Sequence, residues 1–294
     1  MWRRTSLPFV TVPEVDRLDV SDATSSAAQS LVRVLAAGRG RSDDAVAVVN
    51  GLFGDALDER GSRFATPMTF QLGDVVLPTE RDLLPGALDA AVPPVGSRLC
   101  VLVHGLMSNE GIWRFPGDAA TTYGSLLEAD HDVTALTVRY NTGRHISVNG
   151  RELAHRLDDV VRAWPVRVRE INLIGHSMGG LVVRSACHYG RRIRPIRRPF
   201  LVGRRWTSRV RRLVLIGVPN TGAGLEALVN SASSALWSVP VPATRLVGLG
   251  LDRRSAGIRD LRFGAIVDDD WLEHDPDARR RPHPHRATRL RRAD

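Results

Sequence analysis

The stretch that decides the fold is Ile174-Gly175-His176-Ser177-Met178-Gly179-Gly180. It contains the pattern Gly-x-Ser-x-Gly, which marks a serine nucleophile when a strand leads into it and a helix leads out. A strand-like run at 171–174 precedes it, and a helical pattern follows it. A tight turn crowds the backbone, and only small residues such as Gly175 and Gly179 tolerate that crowding. The sequence therefore predicts that Ser177 stands at a strand-to-helix turn as a nucleophile.

Strand-length apolar runs alternate with helical patterns on both sides of this turn. The runs are 99–103, 133–138, 171–174 and 213–216. Such runs are typical of strands that are buried on both faces of a parallel sheet. Before them, two alternating segments flank Gly73-Asp74 and predict an antiparallel hairpin at the sheet edge. The predicted fold class is α/β, a mostly parallel sheet with helices on both faces.

The helices are predicted from caps and apolar stripes. The stretch 149–152 resembles a capping box and predicts the start of a helix that ends at Pro165. Residues 21–60 are helical in pattern, although Asn50-Gly51 and Gly54 interrupt it. The predicted organisation is a helical extension over 1–64, an α/β domain over 65–274, and a disordered tail rich in Arg, Pro and His over 275–294.

A second motif closes the first long strand at His104-Gly105. Acyl transfer needs two backbone N–H groups aimed at the carbonyl oxygen as it gains charge. Met178, directly after the nucleophile, is the expected source of one N–H group, and Leu106 is the expected source of the other. His104, Gly105 and His176 are expected to shape the strand ends rather than to act as the base.

Together, His104-Gly105 and the stretch around Ser177 resemble the α/β-hydrolase superfamily. More narrowly, they are similar to bacterial lipases and esterases and to the hydrolase domain of GPI inositol-deacylase-like proteins. The stretches 113–117, 139–144 and 217–222 fit the same resemblance, which covers roughly residues 65–270. In many such lipases the last motif reads G-T-P-H-x-G, from which Val218 and Asn220 depart. The resemblance implies an α/β-hydrolase fold and an ester substrate.

The base and the acid that a serine nucleophile needs are not evident. In this fold both follow the serine in chain order. A strand candidate at 263–267 leads into Asp268-Asp269-Asp270, which either supplies the acid or is a solvated loop. The histidines after Ser177 fit poorly; they are His188, His274, His283 and His285. We therefore hypothesise that the C-terminal part of the fold is incomplete, and we leave the acid and the base unassigned.

Composition narrows the classes of partner. The net charge is +9, and every basic residue is Arg, which a coding bias explains better than a nucleic-acid partner does. The Arg-dense stretch 184–212 matches no nucleic-acid motif and is expected to be a solvated insertion. The stripe at 225–236 predicts a packed helix, with a lipase lid as the alternative.

The sequence contains no recognisable targeting or cofactor signal, so we expect an intracellular enzyme without a cofactor. Cys100 and Cys187 are expected to be buried thiols. His155 with Asp158 and Asp159 lacks a second set of ligands, so no metal is expected. Neither a signal peptide nor a membrane-spanning run is found, and the cytoplasm is the expected location.

The predicted function is that of a serine hydrolase of the esterase or lipase type, acting through a Ser177 acyl-enzyme. A small-molecule or lipid ester is the expected substrate, nucleic acid is not expected as a partner, and transient contact with a membrane surface stays open. One alternative is an inactive protein of the same fold that binds lipid or a partner protein. Another is an acyltransferase, which passes the acyl group to an alcohol.

Overall fold

The computed structural model describes residues 42–91, 94–193, 197–198, 201–202, 205–222 and 255–272. The helices are α1 (Ser42–Glu59), α2 (Leu84–Asp89), α3 (Tyr123–His131), α4 (Ile146–Ala163), α5 (Met178–Gly190) and α6 (Ala256–Phe263). The strands are β1 (Thr69–Leu72), β2 (Val75–Val76), β3 (Arg98–Val103), β4 (Arg114–Phe115), β5 (Asp118–Thr122), β6 (Thr134–Arg139), β7 (Glu170–His176), β8 (Arg197–Arg198), β9 (Leu201–Val202) and β10 (Val210–Ile216). Short 3₁₀ helices cover Glu110–Trp113, Trp206–Arg209 and Asp268–Asp270.

Six strands form the central sheet in the order β10-β7-β3-β6-β1-β2. The pairs β10–β7, β7–β3 and β3–β6 are parallel, whereas β1 pairs antiparallel with β6 and with β2. Gly73 has a φ of +57° in the turn between β1 and β2, a conformation that glycine adopts without strain. The predicted mostly parallel sheet and its edge hairpin are therefore confirmed.

The side chains of β3 alternate between two apolar layers, as the pleat of a strand requires. Leu99, Val101 and Val103 belong to the larger layer, into which α4 and α5 pack. Cys100 and Leu102 belong to a smaller layer on the opposite face, beside Leu127 of α3. The sheet is thus covered by helices on both faces, as predicted.

Helix α4 begins at Ile146, so the predicted start at the capping box 149–152 is wrong. The hydrogen-bond acceptor at the helix start comes instead from a distant part of the chain, because Ile146 N–H donates to Asp260 Oδ2 at 2.7 Å. Asn149 is already helical and fully buried, and its amide donates to Asn141 O at 2.8 Å. The helix ends before Pro165, where Trp164 is extended as the residue before a proline tends to be.

Helix α1 runs without interruption through Gly51 and Gly54. Both glycines are close-approach sites, because a Cβ on Gly51 would overlap the Met107 side chain and one on Gly54 would overlap the Asn141 amide. The two residues that weaken the helical pattern are therefore the ones that let α1 lie directly on the loops after β3 and β6.

Helix α2 covers part of the connection between β2 and β3. One further prediction about an element is corrected. The strand candidate at 263–267 is wrong, because α6 ends at Phe263 and Gly264 closes it with a φ of +66°. The tail 275–294, the stripe at 225–236, and His274, His283 and His285 lie outside the described residues. Of the helices that are described, none has the length and apolar character needed to cross a membrane.

Candidate active site

The central sheet is mostly parallel and is covered by helices on both faces. In a parallel sheet the carboxyl ends of the strands meet at one edge, where ligands bind. At this edge lie the loops that follow β3, β6, β7 and β10. The predicted nucleophile follows β7, and the predicted second N–H donor follows β3.

Ser177 occupies the turn between β7 and α5 with φ 51° and ψ −124°. A positive φ is unfavourable for a residue with a side chain and persists only where the surroundings enforce it. Its N–H donates to the carbonyl oxygen of Ile216 at 2.8 Å, which ties the turn to the end of β10. The residue is 8% exposed, so the turn is buried but reaches the surface.

The glycines around Ser177 are required by space. A Cβ on Gly175 would overlap the Cα of Gly180 across the turn. One on Gly179 would overlap the carbonyl oxygens of Val103 and His104 at the end of β3. These are backbone atoms at the start of α5 and at the end of β3, so they cannot move aside as a flexible side chain would.

The two predicted N–H donors lie in the segments that flank the nucleophile. Met178 is the first residue of α5, where backbone N–H groups have no partner within the helix and carry partial positive charge. Leu106 is buried and follows Gly105, whose Cα faces Ser177 so closely that an added Cβ would lie 3.0 Å from that of Ser177. Their role as oxyanion donors stays a prediction.

His104 is wholly buried at the end of β3. Its ring stacks on Tyr140 with the centroids 4.5 Å apart, and its Nδ1 lies 3.0 Å from Gly105 O. Burial lowers the pKa of His104 from 6.5 to about 4, and burial also lowers the pKa of His176. A ring that resists protonation in this way is a weak general base at neutral pH.

Three residues that follow Ser177 in the chain, His188, Asp268 and Asp270, have partners other than Ser177. No described histidine hydrogen-bonds to the Ser177 hydroxyl, and His188 lies in the last turn of α5 against Tyr189. Asp268 binds Arg151 through both carboxylate oxygens, at 2.6 and 3.2 Å. Asp270 accepts the N–H groups of residues 266 and 267. The acidic cluster at 268–270 therefore shapes its own loop.

One buried acid–base pair was missed by the sequence reasoning. His145 Nδ1 lies 3.1 Å from both carboxylate oxygens of Asp260, which is 2% exposed. Burial raises the pKa of Asp260, and the histidine opposes that rise. The His145 ring also stacks on Trp271 at 3.6 Å. The pair attaches the segment 255–272 to the loop after β6, and the long separation of its members in the chain leaves no motif to find.

The described part of the chain contains no group of three or more His, Cys, Asp or Glu side chains arranged to hold a metal. His155 is exposed, while Asp158 and Asp159 pair with Arg162 and Arg81. Cys100 and Cys187 are free thiols, and burial raises their pKa values to about 12 and about 11. Neither is a ready nucleophile at neutral pH.

The comparison with known proteins finds a family model that matches part of the chain. Residues 94–201 match the family described as "Putative serine esterase (DUF676)", a little over a third of the chain, and the match includes both His104-Gly105 and Ser177. No curated protein matches the chain. The family match supports ester hydrolysis as the class of reaction.

Two solved structures are similar at low identity. The mature form of the Bacillus licheniformis lipase BlEst2 is 19% identical with a TM-score of 0.39, over 61% of this chain and 60% of that one. A lipase-esterase related protein from Clostridium acetobutylicum is 13% identical with a TM-score of 0.31, over 58% of this chain and 68% of that one. The chain thus spans less than two thirds of the mature Bacillus lipase.

Proposed function

We propose that this protein hydrolyses carboxylic esters by nucleophilic attack of Ser177. The observation that carries the proposal is the left-handed backbone of Ser177 at the turn from β7 to α5. Three features accompany this strain: glycines where no Cβ fits, a helix start beside the hydroxyl, and a match to a serine esterase family. Strained backbone of this kind collects at sites of function.

In the proposed reaction, Ser177 Oγ attacks the ester carbonyl carbon and gives its proton to a base. The carbonyl oxygen becomes an oxyanion, which the N–H groups of Leu106 and Met178 stabilise. The tetrahedral species then expels the alcohol, which takes up the proton, and leaves an acyl group on Ser177. Water attacks that acyl group, releases the acid and restores the serine. We assign the base and its acid partner to no described residue.

The substrate is proposed to be a small-molecule or lipid ester. Exposed apolar side chains cluster on the segment that follows β3, and Phe115 and Tyr123 pack with their ring centroids 5.0 Å apart. Both are more than a third exposed, as is Ile112. Aromatic side chains at a surface favour contact with apolar material, so this cluster favours a lipid ester and transient contact with a lipid surface.

A fluorophosphonate probe tests the proposal directly, because it phosphonylates only an activated serine. We expect one adduct, located on Ser177 by peptide mass spectrometry, and its loss in Ser177→Ala. Ser208→Ala is the matched control, since Ser208 is exposed in the 3₁₀ helix Trp206–Arg209 and its hydroxyl donates to Arg205 O. The control should label like the wild type.

Three results would count against the proposal. One is a folded wild type that does not label, which would favour the inactive, ligand-binding alternative. Another is labelling that persists in Ser177→Ala. The last is a labelled protein that transfers the acyl group to an added alcohol faster than to water, which would make it an acyltransferase.

A further inference from the structure

The loop after β6 holds the loop that carries Leu106 at two points. Tyr140 Oη donates to the carbonyl oxygen of His104 at 2.8 Å. Thr142 Oγ1 accepts the N–H of Met107 at 3.2 Å. The two hydrogen bonds bracket the Gly105-Leu106 peptide, whose orientation they therefore set.

Both hydrogen bonds are buried. Tyr140 and Thr142 are 2% and 1% exposed, so water cannot replace a partner that is lost. Burial raises the pKa of the Tyr140 phenol, which keeps its hydroxyl protonated and able to donate. Its ring also stacks on His104, so the same side chain fixes the loop by packing.

The Leu106 loop needs such support because its backbone is strained. Met107 has a φ of 56°, which is unfavourable for a long side chain. Helix α1 closes the loop from another side, where Gly51 lies against Met107. Without the Thr142 hydroxyl, the Met107 N–H would be a buried donor with no partner, and the loop would be free to relax.

The loop after β6 is itself firmly held. Asn141 Nδ2 donates to Gly54 O at 2.8 Å, and Gly257 N–H donates to Gly143 O at 2.9 Å. The His145–Asp260 pair closes its far end. Side chains on this loop therefore present their hydroxyl groups from a rigid support.

We propose that Tyr140 and Thr142 are positioning residues that aim the Leu106 N–H at the oxyanion. This inference rests on the proposed function. An oxyanion donor acts through its geometry, and a misplacement of about 1 Å can lower a rate by about 100-fold. The bonds to residues 104 and 107 should therefore affect the chemical step more than the binding of substrate.

The test compares Thr142→Val, which removes the acceptor and keeps the shape, with Thr142→Ser, which keeps the hydroxyl. Tyr140→Phe removes the other bond and keeps the ring on His104. Thr134→Val is the matched control. Thr134 is also buried, and its Oγ1 accepts the Gly96 N–H at 2.8 Å at the opposite end of β6.

Hydrolysis of a short-chain p-nitrophenyl ester gives kcat and KM, and fluorophosphonate labelling gives the rate of attack by Ser177. In Thr142→Val and in Tyr140→Phe we expect kcat and the labelling rate to fall by about tenfold or more, with KM changed by less than about twofold. Thr142→Ser should recover most of the loss. Thr134→Val should lower the melting temperature about as much as Thr142→Val but leave kcat near that of the wild type.

The outcomes separate this inference from the proposed function. If the folded wild type does not label, both the proposed function and the positioning role of Tyr140 and Thr142 are refuted. If the wild type labels but Thr142→Val and Thr134→Val have the same kcat, only the positioning role is refuted. An increase in KM with kcat unchanged also removes it. If Thr142→Val does not fold, the comparison of Tyr140→Phe with Thr134→Val decides.

Discussion

The turn at Ser177 and the loop at Leu106 both take part in the proposed chemistry, but they are held in different ways. The Ser177 turn is shaped mainly by its immediate neighbours, Gly175 and Gly179, and by its hydrogen bond to the end of β10. The Leu106 loop is held by residues far away in the chain, on α1 and on the loop after β6. One half of the site is therefore encoded by a local motif and the other by tertiary contacts.

The largest loss of stability is expected at Gly179 in the Ser177 turn, where there is no space for a side chain. Gly179→Ala places a Cβ against the carbonyl oxygens of Val103 and His104, and we expect a loss of about 4 kcal/mol or more in the free energy of unfolding. Gly86→Ala is the matched control, because Gly86 is also helical and has open space around it. It should be neutral or stabilising by about 0.5 kcal/mol. Chemical denaturation measures both, and equal stability of the two variants would show that the Ser177 turn is not sterically fixed.

The next largest effect is the pH dependence of stability that His104 causes at the start of the Leu106 loop. The pKa of His104 is about 4 in the folded chain and 6.5 when unperturbed, so the unfolded chain binds more protons between these values. The free energy of unfolding should therefore be highest above pH 6.5 and should fall by about 3 kcal/mol as the pH drops to about 4.

His104→Phe isolates this contribution. The variant keeps an aromatic ring against Tyr140 and has no titrating group, so its stability should lose that part of the pH dependence. Denaturation curves collected from pH 4 to pH 8 measure the difference. The same slope in the variant and in the wild type would mean that other groups account for it.

The smallest of the three effects tests the long-range support from α1. Gly51→Ala should push on the Met107 side chain and cost about 1–2 kcal/mol, since a flexible side chain can partly yield. Because the strained residue is next to Leu106, kcat should fall by about fivefold.

A double-mutant cycle with Met107→Ala provides the check. Removing the Met107 side chain relieves much of the overlap, so the two changes together should cost less than their sum. Strict additivity in both stability and kcat would show that α1 and the Leu106 loop are independent, and that α1 does not hold this loop in place.

The same difference between local motifs and distant contacts explains which features can be predicted from the sequence. The strands could be predicted because buried parallel strands are continuous apolar runs, and the Ser177 turn could be predicted because its glycines and its flanking elements are contiguous. The hairpin at Gly73 followed from local turn chemistry.

What the sequence did not reveal depends on contacts between distant residues. The local cap pattern predicts that α4 starts at Asn149, whereas the acceptor at the observed helix start is Asp260, far away in the chain. Gly51 and Gly54 interrupt the helical pattern in the sequence, but in the structure they are sites of close packing. The roles of Tyr140 and Thr142 depend on partners in another loop, which no spacing along the chain reveals.

The way α1 lies on Met107 and Asn141 has a consequence for how this sequence can drift over generations. Substitutions at Gly51 and Gly54 would be eliminated by selection even though both belong to a helix that precedes the nucleophile by more than a hundred positions. In a library covering every substitution, Gly51 and Gly54 should tolerate no side chain, whereas the exposed Glu59 should vary freely. Selection for the proposed reaction at Ser177 would thus restrict substitutions in a helix that takes no direct part in that reaction.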